Sequence, residues 1–331
     1  MNGIIVAVGA LGALGAAFGV GLALAAKAFH VPVDEKIEKV RNALPGANCG
    51  ACGFPGCDGL AEAIANGEAP VNACPVGGDE SASAIADIMG SAAGASEKQV
   101  ARVICNGTSC NAKEKFKYEG IHDCRAAALV SGGNKSCSYG CLGFGTCEKV
   151  CPFDAIRMVD GIAEIDRDKC TACGKCIEVC PKMVIDMVPY SQEVVVDCNS
   201  NDKGKAVKDS CSVGCISCQM CVKACPFGAM EFKNNLAYIN YDKCTNCMVC
   251  AEVCPTKAIW ANFEVRKVAE INPDKCVGCT VCAQHCPTYT IDGYREEAHV
   301  VNQENCIGCS VCANKCPFDA IDMKNRTSNK K

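Results

Sequence analysis

One cysteine spacing governs what this chain can become. Cys-x2-Cys-x2-Cys-x3-Cys-Pro occurs five times: at Cys170, Cys173, Cys176 and Cys180; at Cys215, Cys218, Cys221 and Cys225; at Cys244, Cys247, Cys250 and Cys254; at Cys276, Cys279, Cys282 and Cys286; and at Cys306, Cys309, Cys312 and Cys316. In such a run three thiolates wrap one iron–sulfur cube while the fourth reaches its neighbour, so two runs build one two-cluster module. The 33 Cys among 331 residues would suggest a disulfide scaffold in a short secreted chain, but this chain is long and each run ends in Pro. Zinc sites join two Cys pairs across a spacer, which is not the pattern here. Ligation also requires available thiolates, and so a reducing compartment.

Crossed ligation then assigns the modules. The second takes Cys215, Cys218, Cys221 and Cys254 for one cube and Cys244, Cys247, Cys250 and Cys225 for the other. The third takes Cys276, Cys279, Cys282 and Cys316, then Cys306, Cys309, Cys312 and Cys286. The first departs from the pattern: Cys137, Cys141, Cys147 and Cys151-Pro152 form a longer, glycine-rich loop with Gly140, Gly143 and Gly145 ahead of the regular run. Its expected sets are Cys137, Cys141, Cys147 and Cys180, and Cys170, Cys173, Cys176 and Cys151. A hairpin is predicted over 156–165 around Asp160-Gly161, with Asn234-Asn235 at the same place in the second module.

A different motif stands nearer the N-terminus, where Cys49, Cys52, Cys57 and Cys74 suffice for one cube and the glycines beside them let N–H groups approach sulfur. The total is seven four-iron cubes on 28 cysteines, leaving Cys105, Cys110, Cys124, Cys198 and Cys211. Segments 101–106 and 194–199 echo each other, each upstream of a Cys-Ser-x-Gly-Cys stretch. That echo predicts an eighth cube on Cys105, Cys110, Cys124 and either Cys198 or Cys211, against the alternative of buried, redox-inert cysteines.

Composition agrees with inorganic cores. Aromatic residues are 5% and Trp260 is the sole Trp, so the usual large core side chains are scarce. Net charge is −4, and seven oxidised cubes would bring it to roughly −18, which disfavours nucleic acid as a partner. Residues 3–26 carry no charge, enough for a single transmembrane helix, and Lys27, Lys36, Lys39 and Arg41 behind them predict a cytoplasmic bulk. Gly15 and Gly19 form a G-x-x-x-G that would admit another membrane helix, or simply belong to a small-residue anchor.

With the apolar segment, the 44–74 motif and the ferredoxin runs in view, the chain resembles the B subunit of the Rnf complex, a membrane-bound ferredoxin:NAD oxidoreductase that translocates ions. The resemblance covers essentially the whole chain. It implies an electron-transfer subunit that accepts electrons from soluble ferredoxin and relays them to flavin-bearing membrane partners, which themselves carry the flavin, NAD and Na+ or H+ steps. Rival readings are a polyferredoxin conduit of another membrane redox complex, and a cluster-based redox sensor or zinc scaffold.

The expected fold class is α+β. Its order is an anchor over 1–29, a four-cysteine iron–sulfur domain over 30–75, an Ala/Gly/Ser-rich tether over 76–104 and a Cys-containing linker over 105–136. Ferredoxin modules follow at 137–190, 215–262 and 263–323, with a linker at 191–214 and a basic tail at 324–331. Helices are predicted over 33–44 and 58–65. Within the tether, Ile85, Ile88 and Met89 at helical spacing fit either a weak helix or a packed one. An acidic ferredoxin would dock on Lys324, Arg326, Lys330 and Lys331. His122 beside Cys124 reads as a surface or packed residue, and no nicotinamide, flavin or nucleophile motif is present, so no substrate-converting site is expected.

Overall fold

The computed structural model describes residues 2–28, 34–91 and 97–325. The chain divides into two compact units, Met1–Cys74 with Asp79–Gly94, and Pro75–Gly78 with Ala95–Lys331.

The first unit is helical: Asn2–Ala28, Glu35–Ala43, Gly56–Ala65 and Gly78–Met89. Asp34 caps the second helix by accepting from Lys36 N–H at 2.9 Å, with Glu35 and Glu38 in the first turn and Arg41 in the last, as the helix dipole favours. Arg41 also reaches across to Asp58 at 2.7 Å. Val40, Leu60, Ile64 and Ile85 form the apolar interior. Ile85 is fully buried with Ala82 and Ala86 on one stripe, so Gly78–Met89 is a packed helix rather than a loose tether.

Among the described residues no helix is long and apolar enough to cross a membrane, so the expected transmembrane span is not supported by the structure. Asn2–Ala28 is a helix of 27 residues. Leu11, Leu14, Phe18, Leu22 and Leu24 along it are exposed.

The second unit repeats one plan three times. An outer two-stranded antiparallel ladder joins the first and last strands of each module: Gln99–Val103 with Ile185–Pro189, Val194–Val196 with Ile259–Ala261, and Lys267–Ile271 with Ile321–Asn325. An inner hairpin lies between: Ile156–Val159 with Ile162–Ile165, Met230–Lys233 with Leu236–Ile239, and Ile291–Asp292 with Val300–Val301. Asp160 and Gly161 turn the first hairpin with φ of 45° and 78°, and Asn234 and Asn235 the second with 51° and 65°, the left-handed pair that a tight hairpin needs. Modules 1 and 2 therefore begin at residues 99 and 194, upstream of the expected starts, inside segments that sequence alone assigns to tether and linker.

Thiols and β-branched side chains share each core. In module 1, Val100, Val103, Val184, Ile185 and Val188 are buried together with Cys141, Cys147, Cys170 and Cys176.

Two arginines hold the modules together. Arg102 forms a double hydrogen bond with Asp197 at 3.1 and 2.9 Å and lies over the Trp260 ring at 4.3 Å, joining modules 1 and 2. Burial pushes the Asp197 carboxyl above its usual range even against Arg102, a desolvation cost exceeding the charge attraction. Between modules 2 and 3, Arg266 is 4% exposed; it donates to Cys247 O at 2.9 Å and Ile307 O at 3.2 Å and pairs with Glu252.

Candidate metal centres

Two recurrent backbone devices shape the cysteine runs of the second unit. Ahead of the cysteines, Asp166, Asn240, Asn272 and Asn302 accept the N–H of Asp168, Asp242, Asp274 and Glu304 at 3.0, 3.1, 2.9 and 3.1 Å, turning the strand into the loop. Immediately before the short helix that carries the third cysteine comes a left-handed residue: Gly145, Gly174, Gln219, Met248, Thr280 or Ser310. Thr280, with φ of 65°, is β-branched and strained there, so the surrounding loop over-determines it.

These loops bring thiols from distant runs to common cavities. Cys151, Cys170, Cys173 and Cys176 line one. Cys286, Cys306, Cys309 and Cys312 line a second, and Cys276, Cys279, Cys282 and Cys316 a third. In module 2, Cys221 faces Cys215, Cys254 and Cys218, while Cys250 faces Cys247, Cys244 and Cys225. In the first unit Cys57 and Cys74 are buried, Cys49 and Cys52 are half-buried, and Asn48 Oδ1 accepts from Cys57 N–H at 2.8 Å.

Do these residues fit a cube? Among the described residues no group of three or more His, Cys, Asp or Glu is arranged to hold a single metal ion. A cube places each thiolate on its own iron, so its ligands stand wider apart than the four around a zinc at about 2.3 Å. Thr171 Oγ1 and His299 Nε2 are buried without a partner, each in the wall of a cysteine cavity, which suits a bound group able to accept from them. Main-chain donors also point at sulfur: Ala258 N–H to Cys254 at 3.3 Å, Ala320 N–H to Cys316 at 3.4 Å and Ala101 N–H to Cys170 at 3.4 Å.

Burial, reinforced by neighbouring thiols, pushes Cys147, Cys176, Cys250 and Cys312 up to about 12 and Cys221 to about 11. Such thiols keep their protons until metal displaces them. Cys286 goes the other way. Burial raises it, but hydroxyl and N–H donors from Thr290 and Thr288 outweigh that and bring it below the ordinary thiol value.

In module 1 the structure differs from the expected set Cys137, Cys141, Cys147 and Cys180. Cys147 faces Cys141, Cys124 and Cys180, whereas Cys137 lines another cavity. The reason is register. Cys137-Ser-Tyr-Gly-Cys141 matches Cys211-Ser-Val-Gly-Cys215, after which Cys147 and Cys151-Pro152 match Cys221 and Cys225-Pro226. The loop is not lengthened; Phe144 simply stands where module 2 has Cys218. Tyr118 and His122 pack on Phe144 at centroid distances of 5.0 and 5.7 Å, and Cys124 N–H donates to Thr146 Oγ1 at 2.7 Å. His122 is thus a packing residue that docks the neighbouring cysteine.

The cysteines expected for an eighth cube do not all come together. Cys110 is exposed, Cys124 lies in module 1, and Cys105 shares a cavity with both Cys198 and Cys211. Of the tail cations, Lys324 pairs with Glu270; Arg326, Lys330 and Lys331 lie outside the described residues.

Comparison with known proteins agrees with these motifs. A family described as a putative Fe-S cluster matches residues 44–76, and two described as 4Fe-4S dicluster domains match 169–229, 214–258 and 243–290, and 269–323. An LdpA Fe-S cluster-binding domain matches 144–191. The B subunit of the Na(+)-translocating ferredoxin:NAD(+) oxidoreductase complex of Acetobacterium woodii is 50% identical over 245 residues, 74% of each chain. Its counterpart in the ion-translocating oxidoreductase complex of Methanosarcina acetivorans is 44% identical over 75% of this chain and 95% of its own. The corresponding B subunit of the proton-translocating complex of Clostridium ljungdahlii is 44% identical over 74% of this chain and 87% of its own.

Proposed function

Because this chain belongs to the B-subunit family of the Rnf-type ion-translocating ferredoxin:NAD oxidoreductases, we propose that its thiol quartets hold the four-iron clusters of an electron conduit serving that complex. The chain is an electron-transfer subunit. Four-iron clusters, when bound, supply reversible one-electron uptake at low potential; what this chain contributes is their ligands, spacing and surroundings.

One observation supports the reading: thiols of neighbouring quartets in the second unit come near one another at three places. Cys147 of one module 1 quartet faces Cys176 of the other, Cys250 faces Cys221 across module 2, and Cys309 faces Cys247 across the joint to module 3. Cys247, Ile307 and Cys309 are buried together there. A sensor needs one such site, not a file of them.

Reduced ferredoxin is the donor in this reading, docking near Lys324, Arg326, Lys330 and Lys331, and the acceptors are flavin-bearing membrane subunits. The exposed apolar side chains Leu11, Leu14, Phe18, Leu22 and Leu24 support attachment of residues 1–29 to the membrane, with the bulk of the chain cytoplasmic and Na+ or H+ moved by partner subunits. No substrate is converted within this chain.

The test mixes anaerobically isolated complex with reduced ferredoxin and follows visible bleaching of the clusters. Bleaching that slows as salt rises, and slows again when the four tail cations are neutralised, is expected. A colourless, iron-poor protein, or one that stays oxidised, overturns the conduit.

A further inference from the structure

Cys105, Cys137, Cys198 and Cys211 line one cavity at the joint of modules 1 and 2. Its two halves are copies of each other. Cys105-Asn106 follows the strand Gln99–Val103 as Cys198-Asn199 follows Val194–Val196, and each half adds the first cysteine of a Cys-Ser-x-Gly-Cys segment.

The main-chain donors are copied as well. Cys141 N–H donates to Cys105 Sγ at 3.5 Å, and its counterpart Cys215 N–H to Cys198 Sγ at 3.3 Å. Gly107 N–H adds a second donor to Cys105 at 3.3 Å, as Ser200 N–H does to Cys198. Tyr139 and Gly140 direct N–H groups at Cys137, and Val213 and Gly214 do so at Cys211. Every one of the four sulfurs thus meets two amide donors, an arrangement that stabilises sulfur bearing negative charge and that inert packing thiols do not need.

The walls are built to the same end. Lys135 is 3% exposed, lines the cavity and donates to Gly107 O at 2.7 Å and Gly161 O at 2.8 Å, so a fixed cation stands beside the thiols. Of the acids that line the cavity, Asp197 is engaged by Arg102. The segment 106–136 is fastened across the site by Lys113 N–H to Ser210 O and Ser212 N–H to Asn111 O, both at 2.9 Å.

We propose that Cys105, Cys137, Cys198 and Cys211 hold a further four-iron cluster shared by modules 1 and 2, and that Cys124 replaces Cys137 as a ligand in module 1. The assignment rests on reading the other quartets as cluster sites. It uses 32 of the 33 cysteines and leaves Cys110, which is exposed, as the single unligated thiol.

The test is an iron and sulfide count on the anaerobic full-length protein, compared with the Cys198→Ser/Cys211→Ser double variant and with Cys110→Ser. About 32 irons per chain, four per cube, are expected for the parent protein and for Cys110→Ser, and about 28 for the double variant. A count near 28 in the parent overturns the extra cluster while leaving the conduit intact; a count near zero overturns both. The parent count does not depend on how a variant folds. Mössbauer spectra of the double variant supply a second measurement: loss of one cluster's share of the signal with the remainder unchanged supports the site, and an unaltered spectrum sinks it.

Discussion

Modules 1 and 2 differ from module 3 at one position, and the difference explains two kinds of joint. Ile104, Asp197 and Asn272 occupy the same step of the outer ladder, donating to Val184 O, Ala258 O and Ala320 O. The next residue is Cys105 in module 1, Cys198 in module 2 and Pro273 in module 3. In module 3 the chain then enters its first cysteine loop at Cys276, whereas modules 1 and 2 insert 106–136 and 199–210 before Cys141 and Cys215. The same ladder can therefore run straight into its cluster loop, or open to deliver an additional thiol and a covering segment. Two opened ladders set against each other build a shared thiol cavity. Where a straight ladder meets an opened one, no cysteine is left for sharing, and Arg266 holds the joint.

The comparison breaks most visibly at the level of whole clusters. Cys124→Ser should remove about four irons from module 1, and adding Phe144→Cys should restore them, because residue 144 occupies the place of Cys218 in module 2. Iron analysis checks it, and a double variant that remains depleted would refute the shared register. At the joint itself, Arg102→Ala strips Asp197 of its partner, and loss of a buried pair costs about 3–5 kcal/mol. Hydrogen exchange should then rise first in Gln99–Val103 and Val194–Val196 while Lys267–Ile271 stays protected. The smallest effect falls in module 3, where Thr290→Val deletes a hydroxyl donor to Cys286. With less support for the charged sulfur, the midpoint potential should fall, on the order of tens of millivolts, which redox titration followed by electron paramagnetic resonance would detect.

Much of this was legible in the sequence because a Cys-x2-Cys-x2-Cys-x3-Cys-Pro run states its own geometry, and Asp160-Gly161 and Asn234-Asn235 mark their hairpins directly. What escaped reading was carried by residues that lack the motif. The short strands Gln99–Val103 and Val194–Val196 show no alternation or turn signal that separates them from a linker. Their role comes from pairing with strands that lie far along the chain. Phe144 masks the module 1 register because it stands where module 2 has Cys218, and Cys137 lines a cavity apart from Cys147. The likeness of 101–106 to 194–199 marks Cys105 and Cys198 as a pair, and both line one cavity. It could not say that Cys110 is exposed or that Cys124 stands near Cys147, because such placement depends on how 106–136 folds back over its neighbour. The same holds for Gly78–Met89, whose small residues resemble a flexible spacer until Ile85 is seen to be buried.

The Arg266 clamp has a consequence for conduction. The hopping of charge between redox centres weakens steeply with every ångström of gap, so a hinge between modules 2 and 3 would make throughput fluctuate with thermal breathing. A guanidinium bonded to carbonyl oxygens of both modules, Cys247 and Ile307, leaves little slack at that seam. In the proposed conduit, the gap across this seam is therefore set by bonded backbone rather than by a hinge.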